Sequence, residues 1–179
     1  MTSETIFALS SGRPPAAVAV IRISGPGAHQ AAEEVAGELP EPRCCAVRTL
    51  KHPATGEPLD EALVLRFDGP GSATGEDIVE LQCHGGRAVV DAVLAALASV
   101  DGLREARPGE FTRRAFSNGR IDLTAAEGLA DLIEAETKSQ RRAALALAEG
   151  GLARQIAEWQ QRLLGLSAMA ELGVDYDDD

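Results

Sequence analysis

Cysteine, long apolar runs and positive charge are all scarce in this chain of 179 residues. Of its three cysteines two are adjacent, Cys44 and Cys45, a spacing that makes neither a zinc site nor a disulfide framework. That suits a reducing compartment, with the thiols acting as inert small hydrophobes. No stretch approaches the roughly 18 consecutive apolar residues of a membrane span. The first residues also lack the charged-then-apolar pattern of a signal peptide, so the expectation is a cytoplasmic protein. With 17 Lys and Arg against 28 Asp and Glu, the net charge is −11. Such a chain repels a phosphate backbone, which argues against a non-specific nucleic-acid surface. The acidity is spread along the chain, with a concentration in the tail from Asp175 to Asp179. Also absent is any Gly-x-x-x-x-Gly-Lys-Ser/Thr run, so these residues offer no loop that cradles the phosphates of GTP.

The residues that are present read as an α+β fold followed by helices. Strands are expected at Thr5 to Leu9 and Ala17 to Ser24, on either side of a proline-containing loop. A helix follows Gly25-Pro26-Gly27 to about Ala36, with Ala28, Ala31, Ala32 and Val35 at helical spacing. Ala46 to Leu50 and Ala62 to Phe67 are further strands about a Thr55-Gly56 turn, and residues 77 to 83 alternate as another. A helix from about Arg87 to Val100 buries Val89, Val90, Val93, Leu94 and Leu97. The sum is a mixed sheet of about five strands with packed helices, spanning residues 1–119. From 120 to 179 the pattern is all-α, the first part of a helical domain. Thr124-Ala-Ala-Glu127 fits a capping box. Beyond Glu136 a longer helix carries Leu152, Ile156, Trp159, Leu163, Leu166 and Ala170 at spacings of four and three, a seam that needs a partner helix. Gly150-Gly151 is the place for a kink or break. The seam is expected to be completed by later sequence or by a second copy of the chain.

Two runs carry the chemistry, Ser72-Ala-Thr-Gly-Glu-Asp-Ile-Val-Glu-Leu-Gln-Cys-His-Gly-Gly86 and Arg107-Pro-Gly-Glu-Phe-Thr-Arg-Arg-Ala-Phe-Ser-Asn-Gly-Arg120. In the first, Val79, Leu81 and Cys83 share one strand face, while Ile78, Glu80, Gln82 and His84 share an unusually polar opposite face. In the second, Pro108-Gly109 opens a short basic helix and Ser117-Asn118-Gly119 closes it, leaving Arg120 just past the stop. A carboxylate on a half-buried strand needs a partner. For Glu80 this is either a structural ion pair with Arg22 or Arg120, or a ligand edge with two parallel N–H groups such as an aminopyrimidinone. Arg22 and Arg120 could then hold ligand oxygens or an acidic tail. In the ligand reading the three charges are not neutralised by one another. His84 is either a proton carrier or a hydrogen-bonded structural residue. His29 and His52 read as surface positions. Arg107, Arg113 and Arg114 read as a solvated basic face or a contact to the acidic helices, with a place on a ligand rim as a third option.

Together with Val18-Ala-Val-Ile-Arg-Ile-Ser-Gly25, these runs resemble the N-terminal part of the tRNA-modification GTPases of the MnmE (TrmE) family. Thr-Gly-Glu-Asp, His-Gly-Gly, Arg-Pro-Gly-Glu-Phe and Arg-Ala-Phe occur in the family's order, and the likeness covers almost the whole chain. The resemblance implies a tetrahydrofolate-binding-like domain that takes 5-formyltetrahydrofolate or a related reduced folate, with its contacts carried over as Arg22, Glu80 and Arg120. A further basic contact near the family's C-terminus has no counterpart here, nor has the family's late cysteine motif. Residues 13–17 and Ala73 also depart from the family's pattern. The resemblance further implies a homodimer and a flavin- and NADH-dependent partner protein of the MnmG (GidA) type. The joint reaction it implies is installation of a carboxymethylaminomethyl-type group at C5 of the wobble uridine, U34, of certain tRNAs. GTP, Mg2+ and K+ are expected only on a GTPase domain that these residues do not include, and tRNA not mainly on this acidic chain. The chain is expected to be an N-terminal fragment. A purely structural dimerisation module and a stand-alone folate-dependent transferase are the alternatives.

Overall fold

Alternating Val, Ile and Leu between glycine and proline punctuation builds the sheet seen in the structure, a computed structural model that describes residues 4–175. The acidic tail from residue 176 onward lies outside the described residues. The strands are β1 (Thr5–Leu9), β2 (Val18–Ser24), β3 (Cys45–Lys51), β4 (Pro58–Phe67), β5 (Ile78–His84) and β6 (Leu103–Glu105). They form one six-stranded sheet in the order β3-β4-β5-β2-β1-β6, antiparallel throughout except for the parallel pair β1 and β6. β6 is the strand beyond the expected five. Three residues give no measurable alternation, and its pairing with Thr5 to Phe7 spans nearly the whole first unit.

One face of the sheet is dry. Ile21 and Ile23 of β2, Val79, Leu81 and Cys83 of β5, and Ala62 and Val64 of β4 pack against α1 (Ala28–Ala36) and α2 (Arg87–Ala98). The small side chains Ala28, Ala31 and Ala32 let α1 sit close to the strands, and Val35 completes its stripe. Burying each of the larger aliphatic residues stabilises the unit by roughly 1.5–3 kcal/mol. On α2 the buried residues are Val90, Val93, Ala96 and Leu97, while Val89 and Leu94 are only partly covered.

The opposite face carries Val18, Val20, Arg22 and Ser24 of β2 beside His84, Gln82, Glu80 and Ile78 of β5. α3 (Glu110–Ser117) lies against part of it, between Gly109 and Gly119, both at positive φ. Val18 and Val47 on this face are more than half exposed.

The chain divides into two compact units, the first ending at Arg120 and the second starting at Ile121. In the second, α4 (Leu123–Glu134) begins two residues earlier than the expected capping box. Asp122 is its cap, accepting from the Ala125 N–H at 2.7 Å, and the Thr124 hydroxyl donates to the same carboxylate oxygen. The capping box occurs instead at α5 (Lys138–Ala148), where Thr137 and Gln140 satisfy each other's backbone N–H groups. Glu127 lies two residues beyond the third position of α4, where a capping-box partner would stand. The expected long helix is broken at Gly150, whose φ is 73°, and resumes as α6 (Gly151–Asp175). No helix among the described residues is long and apolar enough to cross a membrane.

Candidate functional site

Arg22 and Glu80 are direct cross-strand partners of β2 and β5, so their side chains rise side by side from the polar face. The guanidinium donates from Nε at 2.9 Å and from Nη2 at 2.7 Å, both to Glu80 Oε1. The pair is partly solvated, with Arg22 at 29% and Glu80 at 16% side-chain exposure. Phe111 of α3 holds its ring 5.8 Å from the Arg22 guanidinium carbon, within cation–π range. Arg22 therefore has an acid on one side and an aromatic face on another. The expectation that the three charges leave one another unneutralised fails for these two. Both bonds end on one oxygen, and Oε2 lies outside the fork.

Arg120 arrives by a different route. α3 ends at Ser117, the Arg120 N–H donates to the Ala115 carbonyl at 2.8 Å, and the side chain turns back over the 72–76 turn. Its Cγ and Cδ pass 3.1 and 3.4 Å from where a Cβ on Gly75 would lie. That turn is tied to β2 two residues beyond Arg22, where the Ser24 hydroxyl bonds Thr74 Oγ1 at 2.8 Å and Glu76 Oε2 at 2.9 Å. Two residues along a strand are about 7 Å. Arg22 and Glu80 are thus paired, while Arg120 packs on a turn that is hydrogen-bonded to Ser24 of the same sheet face.

Beneath this lies a network the sequence did not reveal. Glu110, with 1% of its side chain exposed, accepts both outer guanidinium nitrogens of Arg104, at 2.9 and 2.6 Å, and the Arg107 N–H at 2.9 Å. The Arg104 fork, helped by the Arg107 N–H, holds the Glu110 carboxyl at about 2 despite the opposing effect of burial. Arg104 is correspondingly raised, chiefly by Glu110 and then by Glu4. Arg114 is buried, with Nη1 2.9 Å from Glu76 and Nη2 3.5 Å from Glu110. This corrects its reading as part of a solvated basic face, because facing carboxylates make burial tolerable. Arg113 does remain solvent-exposed.

Of the histidines, His84 bonds through Nδ1 to Asp60 at 2.8 Å while most of its ring stays in solvent. His29 is not the surface residue expected. It stands on α1 between Asp68 (3.3 Å) and Asp77 (3.7 Å), with its Nε2 buried. Asp68 is already engaged by Arg66, and Asp77 accepts from the Gly69 N–H. The Cys83 thiol is pushed up to about 12 by burial and then by Asp60, which makes it inert at neutral pH.

Comparison with known proteins adds to this geometry. The family model described as GTP-binding protein TrmE N-terminus matches residues 5–120, and the MnmE helical domain matches residues 123–179. The chain belongs to the TrmE/MnmE family. Relatives named tRNA modification GTPase MnmE are 60% identical over 177 residues in Novosphingobium aromaticivorans and 53% identical over 176 residues in Rhodopseudomonas palustris. Those alignments cover 99% and 98% of this chain but 40% and 39% of the relatives, so the chain spans about two-fifths of their length. The boundary between the two MnmE matches falls where the two compact units divide. Arg104, Glu110 and Arg114, of which the last two are buried, lie within the N-terminal match. The signal that could have exposed them is the spacing of Glu110 and Arg114, one helical turn apart on α3 beside Ala115.

Proposed function

We propose that the first unit binds a reduced folate, 5-formyltetrahydrofolate or a near relative, through Glu80, Arg22 and Arg120. Supporting this is one observation above the rest: Glu80 stands half-sheltered on a sheet face with one oxygen outside its ion pair, beside a guanidinium flanked by an aromatic ring. A carboxylate so placed accepts the paired N–H groups of a pterin edge. The two arginines suit the carbonyl and glutamate oxygens, because guanidinium forks match carboxylates. The resemblance to the family supplies the rest. In the longer protein this unit would present a one-carbon donor and hold the homodimer together in the cytoplasm. Exposed Val18 and Val47 on the same face suit self-association. A GTPase domain outside these residues would bind GTP with Mg2+ and K+. The protein would act with a flavin- and NADH-dependent MnmG-type partner at U34 of tRNA, to install a carboxymethylaminomethyl-type group. Residues 1–119 would be the folate-binding and dimerising part, and 120–179 the beginning of the helical domain.

A second reading is favoured by the same ion pair: Arg22 and Glu80 satisfy each other and the unit is a structural dimerisation module. Calorimetric titration of the chain with 5-formyltetrahydrofolate separates the two. The folate reading expects saturable heat, weakened roughly tenfold or more in Glu80→Ala, the usual scale for losing a charge-assisted pair. Absence of heat, or an affinity unchanged by that substitution, would favour the structural reading. Sedimentation at micromolar concentration tests the dimer.

A further inference from the structure

Gly75 and Asn118 sit where they can decide what Arg120 does. Gly75 has φ 79°, a conformation that glycine adopts without strain. The space a Cβ would take is filled by its neighbours: Asn118 Cβ would lie 3.0 Å away, Arg120 Cγ 3.1 Å and Arg120 Cδ 3.4 Å. The aliphatic stem of Arg120 thus rests on bare backbone. Asn118 closes the seat from the other side, donating from Nδ2 to the Thr74 carbonyl at 2.8 Å. The turn itself is braced, with Thr74 and Glu76 bonded to Ser24, Glu76 bonded to Arg114, and the Ser72 hydroxyl bonded to the Glu76 carbonyl. An exposed arginine ordinarily samples many rotamers, and holding one costs entropy at the moment of binding.

We propose that Gly75 and Asn118 are positioning residues, which fix the stem of Arg120 so that its guanidinium is presented in one orientation to an anionic ligand group. This rests on the folate reading for the identity of the ligand, although the seat itself does not. Preorganisation of this kind acts on affinity through Arg120 alone, so removing the seat and removing the arginine are not independent.

The test uses the chain and three variants: Asn118→Ala, Arg120→Ala and their double. Gly75→Ala serves as a fourth if it folds. The first readout is the order parameter of the Arg120 Nε–H group by nuclear magnetic resonance, without ligand. The seat expects a restrained group in the parent chain and a marked loss of order in Asn118→Ala, with the unfolding midpoint little changed. An Arg120 equally mobile in both would overturn the proposal whatever folate does. The second readout is 5-formyltetrahydrofolate affinity. Asn118→Ala should weaken it several-fold in the parent, but not in the Arg120→Ala background; additive losses would show that Asn118 acts elsewhere and sink the positioning role. If the parent binds no folate, the functional reading fails and the order parameter alone decides the seat.

Discussion

Glu110 shows most directly how one side chain can be forced into a protonation state. Its carboxyl is buried beneath Arg104 and held at about 2, against an ordinary value near 4.5. A carboxyl depressed on folding adds stability above its unfolded value, and that stability disappears as pH falls toward the folded one. We expect roughly 2–3 kcal/mol to be lost between about pH 4.5 and pH 2. Denaturant unfolding across that range should show it, and Glu110→Gln should flatten that part of the curve while destabilising the protein at neutral pH. A variant with an unchanged acid limb would remove Glu110 as the cause. Strand alternation singled out Glu80 by its polar face and left Arg22 and Arg120 as alternative partners; only the pairing of β2 with β5 puts Arg22 directly beside it. The sequence concealed Arg114, because Glu76 lies 38 positions away and only the folded turn brings it to α3. His29 was missed for the same reason, its two carboxylates coming from the ends of the loop between β4 and β5.

Helix signals were legible where a single local device decides them. Asn118-Gly119 ended α3 and Gly150 separated α5 from α6 as the residue types require. The start of α4 was misjudged because two caps compete within three residues, and the Asp122 carboxylate reaches the Ala125 N–H first. Packing between α4 and α5 depends on Gly128. A Cβ there would lie 2.5 Å from the Ala148 nitrogen and 2.7 Å from Leu147 Cβ. Alanine in place of glycine normally favours a helix by about 1 kcal/mol. Here we expect the opposite sign, with Gly128→Ala destabilising the helical unit by about 1–3 kcal/mol through overpacking. Thermal unfolding followed by far-ultraviolet circular dichroism measures it, and a more stable variant would contradict the close approach.

At the scale of the whole molecule, the seam on α6 is an unmet demand among the described residues. Ile156, Trp159, Leu163 and Leu166 are 39–65% exposed along one stripe, more than a folded surface helix usually leaves uncovered. Trp159 is the single tryptophan of the chain, so its fluorescence reports on that stripe alone. We expect dilute protein to show the red-shifted emission of a solvated indole, open to acrylamide quenching. A concentration-dependent blue shift would indicate a second copy on the seam, and a blue shift seen only when the chain continues would indicate later sequence. Emission already blue and shielded in dilute chain would contradict the exposed face.

The placement of β6 beside β1 bears on biosynthesis. β1 leaves the ribosome well ahead of β6 and keeps one flank without this hydrogen-bonding neighbour until residues 103 to 105 have emerged, about a hundred codons later. The nascent domain therefore cannot seal its sheet in the order in which it is made. A chain stalled before Leu103 should present that open flank to chaperones, and a chain stalled well past Glu105 should not.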